Sequence, residues 1–349
     1  MIVLVRADAT AAMGTGHVMR CAALGMRLMA RGATAHFVCA GLNAELGKWL
    51  IDRNFGLTSL PHPDAFGWRK DVAATGEVAR RLGHIDLLIV DHYGLEQQWE
   101  QAIRPYVCRI LVIDDLANRN HDCDYLLDQN LRDDSILRYA RCVPHGSQQF
   151  LGPQYALLRP EFDEADLERT RDGNVAHLLV FFGGTDPGDQ TLKVLDALRA
   201  LGQMAPRSVL VLGPAHPHRD IVYERAAGLA GVQVLDATDQ MARLIAQADL
   251  ALGTCGVAAW ERCALGLPAL VVVTAENQRE DAEILCRLGA VRHLGDADGV
   301  SAEQWTSALQ EVMDSPDCVR SIGIAAREVM MGRQAALAEL EETLVDGIL

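Results

Sequence analysis

The chain has 349 residues, and half of them are hydrophobic, so it is long enough for two domains of ordinary size and has no segment polar enough to be disordered. Its net charge of −15 argues against a nucleic-acid ligand, because proteins that bind nucleic acids present basic faces. No apolar run approaches the ~20 residues of a membrane span, and the first residues, MIVLVRAD, lack the basic region of a signal peptide.

Nine cysteines are scattered along the chain without any C-x-x-C pair. This spacing indicates neither a zinc site nor a disulfide framework. We therefore expect a protein of the reducing cytoplasm. Nothing in the sequence indicates an oligomeric state.

Strands and helices alternate along the first part of the chain. The predicted strands are MIVLVRAD (1–8), AHFVCA (35–40), DLLIVDHY (86–93), RILVIDD (109–115) and DYLLDQN (124–130), and the predicted helices cover 18–31, 44–54, 71–82 and 95–105. This order predicts a parallel sheet with helices on both faces, whose ligands bind beyond the carboxyl ends of the strands. Those ends carry Asp8, Gly14, His17, Asp91, His92, Tyr93, Asp114, Asp115, Asp128 and Asn130.

The segment 131–174 contains prolines and a charged stretch, and we interpret it as the linker between domains. A second alternation then begins. Its predicted strands are HLLVFFGGTDP (177–187), SVLVLGP (208–214), VQVLDAT (232–238), DLAL (249–252), the apolar run before Asn277, and AVRHLG (290–295), with helices between them and at the end. The chain is thus predicted to form two Rossmann-like doubly wound domains, 1–158 and 159–349. We expect the site in the cleft between them and the last helix packed on the first domain.

The stretch LGTCGVAAWERCALGLPALVVVTAENQ (252–278) combines a glycine loop, a helix and an apolar strand. Gly253 and Gly256 allow the backbone to approach a bulky anion. The free N–H groups at the start of the following helix, 258–265, favour a phosphate. The same pattern is also typical of an ordinary strand–helix–strand unit whose glycines only make tight turns.

Other polar residues border this loop in the predicted fold. Glu261 lies one helical turn beyond the phosphate position, where a carboxylate can accept hydrogen bonds from ribose hydroxyls. Asn277 and Gln278 follow the next strand and would close the site from the side. A second glycine loop, with Gly184 and Asp186, is expected to meet the same substrate, although it is also typical of a β-turn that ends a strand.

His17 closes a G-T-G-H loop at the start of the first helix. A helix N-terminus disfavours a cation, which favours the neutral imidazole that a general base needs. A surface or capping role is the alternative for such a histidine. Nucleophilic catalysis finds no support, because there is no G-x-S-x-G elbow and no base is placed beside Cys255. The aspartates at 114, 115 and 128 match no known metal-binding loop.

Six motifs together resemble one family over nearly the whole chain. They are RADATAAMGTGHVMRC (6–21), DHYGLEQQWE (91–100), IDDLANRNHDCDYLLDQN (113–130), LGPQYALLRPEF (151–162), FFGGTDP (181–187) and AAWERCALGLPAL (258–270). They resemble the PseG family, the UDP-sugar hydrolases of pseudaminic acid biosynthesis. That family is similar in turn to MurG-type glycosyltransferases, which have the GT-B fold.

The resemblance implies that the substrate is UDP-2,4-diacetamido-2,4,6-trideoxy-β-L-altropyranose and that the products are UDP and the free sugar. His17 would activate water for an inverting attack on the anomeric carbon. UDP is a good leaving group, so no metal and no other cofactor are expected. The resemblance implies substrate contacts for Gly14, Thr15, Gly16, Arg6, Asp8, Arg20, Tyr93, Arg159, Gly184, Gly253, Thr254, Gly256, Val257, Glu261, Asn277 and Gln278. Of these, Glu261 would hold the ribose, and Arg6, Asp8, Arg20, Tyr93 and Arg159 would frame the sugar.

One part of the sequence departs from the family pattern. The pattern before WERC is close to GAGGSTTWERC, whereas this chain has GTCGVAAWERC. Val257, Ala258 and Ala259 provide no side-chain hydroxyl, so diphosphate binding would rely on backbone N–H groups and Thr254. Losing one or two neutral hydrogen bonds of about 0.5–1.5 kcal/mol each weakens binding about tenfold.

Two other functions stay open. A glycosyltransferase of the same fold would pass the sugar to an acceptor other than water. A transferase with a membrane acceptor usually shows an apolar or basic patch on its first domain, and no such run is present. The second alternative is a protein that binds a nucleotide sugar without turnover, which would not need a base in the G-T-G-H loop.

Overall fold

A computed structural model describes residues 1–9, 14–60, 67–164, 169–186, 188–213, 216–236, 238 and 240–346. The chain divides into two compact units, unit 1 (Met1–Pro160 and Gly332–Leu349) and unit 2 (Glu161–Met331). The sequence-based boundary followed residue 158. Predicted loop, strand and linker residues at 10–13, 165–168, 187, 214 and 237 lie outside the described residues.

Unit 1 contains one parallel sheet. Its strands are β1 (Ile2–Ala7), β2 (Thr34–Ala40), β3 (Gly56–Leu60), β4 (Ile85–Asp91), β5 (Val107–Ile113), β6 (Tyr125–Asp128) and β7 (Gln148–Leu151). They form a seven-stranded sheet in the order β3-β2-β1-β4-β5-β6-β7. The helices are α1 (Gly16–Ala30), α2 (Ala44–Ile51), α3 (Trp68–Leu82), α4 (Gln97–Ile103), α5 (Ser135–Arg138) and α14 (Arg333–Asp346).

The central strands of unit 1 are buried on both faces, which explains their continuous apolar sequences. Val3 and Val5 of β1 belong to a core cluster on one face that includes residues of α1 and α14. Leu4 belongs to a second cluster on the other face, where Trp99 of α4 is fully buried. Side chains that alternate along β1 thus serve two cores, as the predicted helices on both faces require.

The interpretation of 131–174 as a linker is wrong for its first part. Residues Gln148–Leu151 form β7, which pairs in parallel with β6 and places Gln148 opposite Tyr125. Phe150 of this strand is fully buried. The sequence QQFL is too short and too polar to be recognised as a strand, and the sheet supplies the context that the sequence lacks. The edge strand β3, GLTSL, was not predicted for the same reason.

Helix α14 packs in the core of unit 1, although it follows unit 2 in the sequence. Its residues Leu337, Leu340 and Leu344 are fully buried in the cluster that covers β1. Glu341 accepts hydrogen bonds from the Nε atoms of Arg27 and Arg31 on α1, at 2.5 and 2.6 Å. The last helix is therefore an integral part of unit 1.

Unit 2 repeats the architecture. Its strands are β8 (His177–Phe181), β9 (Arg207–Val211), β10 (Val232–Leu235), β11 (Leu250–Thr254), β12 (Ala269–Val273) and β13 (Arg292–Asp296). They form a six-stranded sheet in the order β10-β9-β8-β11-β12-β13, and all its recorded pairs are parallel. The helices are α6 (Glu161–Glu164), α7 (Gln190–Leu201), α8 (Arg219–Ala227), α9 (Met241–Gln247), α10 (Val257–Ala264), α11 (Arg279–Arg287), α12 (Ala302–Met313) and α13 (Pro316–Val329).

The helices of both units are of ordinary globular length. Within the described ranges, none is both long and apolar enough to cross a bilayer.

Candidate functional site

The strand order of unit 1 reverses between β1 and β4, which are neighbours in the sheet. Open parallel sheets bind ligands beyond the carboxyl ends of their strands at such a switch point. Helix α1 begins at Gly16 after β1, and β4 ends at Asp91. The fold therefore brings the start of α1 and the end of β4 to the position where sheets of this kind bind ligands.

His17 and Asp91 form a hydrogen-bonded pair at this switch point. The Nδ1 atom of His17 lies 2.6 Å from Oδ1 of Asp91, and the His17 residue is 6% exposed. A carboxylate at Nδ1 keeps the proton of a neutral imidazole on that nitrogen and leaves the lone pair on Nε2. No hydrogen-bonding partner of Nε2 is found in the described part of the chain. This is the arrangement of an oriented general base.

Arg20 holds the carboxylate of Asp91. It lies one helical turn after His17, so both side chains are on the same face of α1. Its Nε and Nη2 atoms donate to the two oxygens of Asp91 at 2.5 and 2.7 Å. Burial alone would raise the pKa of Asp91, but the charges of Arg20 and His17 and their hydrogen bonds hold that pKa well below its usual range. Asp91 therefore stays ionised at neutral pH.

Tyr93 and Asp115 extend this cluster. The hydroxyl of Tyr93 and the Nη1 atom of Arg20 both donate to Oδ2 of Asp115, each at 3.2 Å. The Tyr93 ring also meets the His17 ring edge-on, with centroids 4.7 Å apart. Burial, followed by the nearby Asp115 carboxylate, raises the pKa of Tyr93, so its hydroxyl keeps its proton. Three of the predicted site residues, His17, Arg20 and Tyr93, are thus brought together.

The structure places Arg6 and Asp8 in a buried network. Arg6 donates to the carboxylates of Asp8 and Asp71, with 2.6 Å between its Nη2 atom and Asp71. Asp8 also accepts the N–H of Ala40 at 2.7 Å and lies 3.1 Å from Nε2 of His92. Because protein groups surround both residues, this arrangement favours a structural role over contact with a substrate.

The remaining predicted residues of unit 1 lie near chain turns. Gly14 and Thr15 are exposed just before α1, and the side chain of Thr15, the N-cap residue, makes no capping hydrogen bond. Gly14 has a φ of 72°, in the left-handed region that favours glycine. Gly16 is the first residue of α1. Arg159 is partly buried and has contacts within the protein, close to the unit boundary.

The glycine loop of unit 2 also lies at a switch point, since the strand order reverses between β8 and β11. It follows Thr254, the buried last residue of β11. Helix α10 begins at Val257, and its N-cap residue is Gly256, which has no side chain. The N–H of Ala259 donates to the carbonyl oxygen of Gly256 at 2.8 Å. No partner of the Val257 and Ala258 N–H groups is found among the described residues, so these two groups are left for a ligand or for water, as an anion site requires.

The two glycines of this loop serve different purposes. A Cβ atom on Gly253 would lie 2.6 Å from the carbonyl oxygen of Phe181 and 2.9 Å from Nη1 of Arg262. Gly253 is therefore needed for close packing within the protein. A Cβ atom on Gly256 would meet only Nε2 of Gln278, at 3.6 Å, so this position is open.

Three predicted residues border the loop. Glu261 is partly buried on α10. Asn277 is exposed and Gln278 is partly buried, in the short turn after β12. Gln278 accepts a hydrogen bond from Oγ1 of Thr274 at 3.1 Å, which leaves its amide nitrogen beside Gly256.

The second glycine loop of unit 2 follows β8. Gly184 is exposed, and Gly213 packs so closely against it that a Cβ atom there would lie 2.3 Å from the Gly184 carbonyl oxygen. Asp186 accepts the N–H groups of Gln190 and Thr191 at 3.0 and 2.8 Å, so it caps α7. Of the two residues predicted to meet the substrate in this loop, Gly184 is exposed and Asp186 is buried.

The described residues contain no group of three or more His, Cys, Asp or Glu side chains placed to hold a metal ion. Burial raises the pKa of the Cys255 thiol to about 12, so it is not poised as a nucleophile. Sequence analysis placed Asp91 and Asp115 at the ligand-binding edge of the sheet but did not include them among the site residues. The His17–Arg20 spacing on one helix face was the available signal that a carboxylate lies between them.

No protein-family model matches the sequence. The chain is 28% identical over 192 residues to the spore coat polysaccharide biosynthesis protein SpsG of Bacillus subtilis, a match over 55% of this chain and 57% of that protein. It is 27% identical over 202 residues to the UDP-2,4-diacetamido-2,4,6-trideoxy-beta-L-altropyranose hydrolase of Campylobacter jejuni, over 57% of this chain and 66% of that enzyme. The chain thus spans less than two thirds of the length of either relative. The predicted resemblance to the UDP-sugar hydrolases is thus confirmed as a weak sequence similarity over 57% of this chain.

Solved structures establish the fold class. MurG from Acinetobacter baumannii matches with a TM-score of 0.65 and 14% identity over 99% of both chains. UGT2 from Phytolacca americana, complexed with UDP-2fluoro-glucose and pterostilbene, matches with a TM-score of 0.68 and 13% identity over 98% of both chains. The predicted GT-B fold, with two Rossmann-like domains, is therefore confirmed. Identity this low shows the fold alone.

Proposed function

We propose that this protein is an inverting UDP-sugar hydrolase that releases UDP and 2,4-diacetamido-2,4,6-trideoxy-L-altrose, a step of pseudaminic acid biosynthesis. The observation that carries the proposal is the 2.6 Å contact between Nδ1 of His17 and Asp91. A histidine oriented by a carboxylate, with its second nitrogen unengaged, has the geometry needed to take a proton from water. The substrate is suggested by the name of the Campylobacter jejuni relative.

In the proposed reaction, Nε2 of His17 takes a proton from a water molecule while the water oxygen attacks the anomeric carbon. The bond between that carbon and the diphosphate oxygen breaks, and its electron pair leaves with UDP. Asp91 stabilises the imidazolium that forms, and Arg20 keeps Asp91 ionised. Because attack and departure occur on opposite sides, the configuration inverts.

The roles proposed for unit 2 concern the nucleotide. The uncapped start of α10 and the open position at Gly256 receive the diphosphate, whose negative charge the helix dipole stabilises. Glu261 accepts hydrogen bonds from the ribose. UDP is a weakly basic leaving group, so stabilisation of its charge by N–H donors replaces a strong general acid.

A glycosyltransferase is the second candidate. It is favoured by the fold shared with MurG and by 32% identity over 125 residues to a Chromobacterium violaceum transferase, whose name describes transfer of N-acetylglucosamine, although that match spans 33% of this chain. The same base would then deprotonate an acceptor hydroxyl. A binding protein without turnover is disfavoured, because it has no use for an oriented base.

Proton NMR of the metal-free protein with UDP-2,4-diacetamido-2,4,6-trideoxy-β-L-altropyranose and no acceptor tests the proposal. Release of UDP, with the first sugar anomer opposite to that of the substrate, is the result expected of an inverting hydrolase. Binding of UDP without release, followed by release when an acceptor is added, would assign the chain to the transferases instead.

A further inference from the structure

Arg262 is a buried cation on α10 with few partners. The residue is 4% exposed. Its Nη2 atom donates to the carbonyl oxygen of Thr254 at 2.6 Å, and its Nη1 atom lies against Gly253. Its Nε atom is buried without a hydrogen-bond partner in the described part of the chain, where no salt bridge to Arg262 is found either. Burial accordingly lowers the pKa of Arg262.

Three other buried arginines in the described part of the chain are compensated. Arg6 forms salt bridges with Asp8 and Asp71, and Arg20 does so with Asp91 and Asp115. Arg171 has no carboxylate on its guanidinium, but it donates to the carbonyl oxygens of Ile245, Ala248, Leu265 and Gly266. Arg262 has a single such bond, and so it is the exception in this comparison.

The position of Arg262 explains why such a costly group is retained. A buried charge is destabilising unless an opposite charge or hydrogen bonds compensate it. The guanidinium lies directly under Gly253 and Thr254, at the end of β11 where the glycine loop begins. The start of α10 on the same loop is uncapped and adds positive potential. Both features are satisfied by one anion bound on the loop.

We propose that Arg262 is the positioning residue of the diphosphate site: it shapes the 253–257 loop through Thr254 and supplies the positive charge beneath it. This inference rests on the proposed function, because it takes the anion to be the diphosphate of UDP. It also accounts for the loop sequence of this chain. Val257, Ala258 and Ala259 offer no hydroxyl, so recognition depends on backbone N–H groups and on charge.

A charge series of ligands tests the inference. Dissociation constants of UDP, UMP and uridine are measured by calorimetry, with uridine by competition against UDP, for the wild type and for Arg262→Met. Removal of a charge near a dianionic group is expected to weaken UDP binding about tenfold or more, UMP less, and uridine less than about twofold. An equal loss for UDP and uridine would show that Arg262 is only structural and would overturn the inference, as would no loss at all.

Three further variants keep this test decisive. Arg262→Lys retains the charge and is expected to restore UDP affinity to within about threefold of the wild type. If Arg262→Met does not fold, Arg262→Gln replaces it in the series. Arg171→Lys is the matched control, because Arg171 is a buried arginine that binds carbonyl groups at the other end of the strands. It should lower the stability without changing the ratio of UDP to uridine affinity.

Inorganic pyrophosphate separates this inference from the proposed function. If the wild type binds pyrophosphate and Arg262→Met does not, the anion site stands even where UDP is not the ligand or no sugar is released. If the wild type and Arg262→Met bind UDP with the same affinity, the inference fails, whereas the hydrolase proposal is unaffected.

Discussion

The arginines at the two switch points of this protein differ in how they are paired. At the edge of unit 1, Arg6 and Arg20 each form salt bridges with two aspartates, so both guanidinium groups are paired with carboxylates that hold them in place. At the edge of unit 2, Arg262 lies under the glycine loop without a salt bridge among the described residues. A paired network fixes geometry, whereas an unpaired charge attracts a ligand. Under the proposed function, the chemical step belongs to unit 1 and anion binding to unit 2.

Removing the base gives the largest expected effect. His17→Ala should lower kcat by ~10²–10⁴-fold, because proton abstraction from water loses its acceptor. UDP affinity should stay close to that of the wild type, since the nucleotide roles lie in unit 2. Initial rates of UDP release and calorimetry measure the two quantities. His145→Ala, at an exposed histidine of unit 1, is the control, and turnover near the wild-type rate in His17→Ala would contradict the assignment.

A smaller loss is expected when the base is kept but its orientation is not. Asp91→Asn removes the carboxylate that holds Nδ1 of His17 and leaves Arg20 without its partner. We expect the loss of kcat to be smaller than in His17→Ala by about one to two orders of magnitude, because the imidazole is still present. The kcat values are compared between variants that bind UDP with equal affinity. Denaturant unfolding checks that the fold is intact. If kcat fell equally in Asp91→Asn and His17→Ala, Asp91 would be as indispensable as the base itself.

Glu261→Ala sharpens the contrast with Arg262. Loss of a carboxylate that accepts ribose hydrogen bonds should weaken UDP binding about tenfold. Unlike removal of the Arg262 charge, it should weaken uridine binding by the same factor, because both ligands carry the ribose. Calorimetry on the same ligand series measures this. An unchanged dissociation constant for both ligands removes the ribose role.

The smallest effect concerns a carboxyl group of unit 1 that shares a proton. The Tyr139 hydroxyl lies 3.1 Å from an oxygen of Asp114 and 3.1 Å from one of Asp128. Because the hydroxyl carries one hydrogen, it donates fully to only one of the two carboxylates, and the second contact becomes a hydrogen bond when a carboxyl group is protonated. Burial raises the pKa of Asp128 to about 6, so this residue takes up the proton as the pH falls.

The pH dependence follows from this raised pKa. The folded state binds the proton more tightly than the unfolded state, so the contribution of Asp128 is fully present below about pH 4 and is lost as the pH rises through about 6. Asp128→Asn supplies a permanent N–H donor. It should raise the free energy of unfolding by about 1–2 kcal/mol at pH 8 and by less at pH 5. Urea unfolding at both pH values measures this, and a difference independent of pH would refute the shared proton.

Part of the site could be predicted because helix and loop positions follow from local sequence. His17 at the start of α1 and Gly256 before α10 are such positions. The partners of these residues could not be predicted, since many aspartates follow strands and only the sheet order brings Asp91 to His17. The pairing of Arg6 with Asp8, by contrast, could have been predicted. Residues two apart on a strand share a face, so their opposite charges already indicated mutual pairing.

The prediction of strands succeeded where apolar runs are long and failed where they are short. The alternation of strands and helices indicated both doubly wound domains, which the solved GT-B structures confirm. The strand β7, QQFL, was missed because its formation depends on pairing with β6, a contact that local propensity does not encode. The reason for Gly253 could not be predicted either. A side chain at this position would clash with Phe181, which is distant along the chain, and with Arg262, which is on another element.

The return of α14 to the first sheet has a consequence for biosynthesis. Residues 161–331 of unit 2 emerge from the ribosome before Leu337, Leu340 and Leu344 do. Unit 2 is therefore the first unit whose sequence emerges in full, although unit 1 begins the chain. Until the final helix emerges, the apolar surface of α1 that it covers stays exposed to solvent and to chaperones.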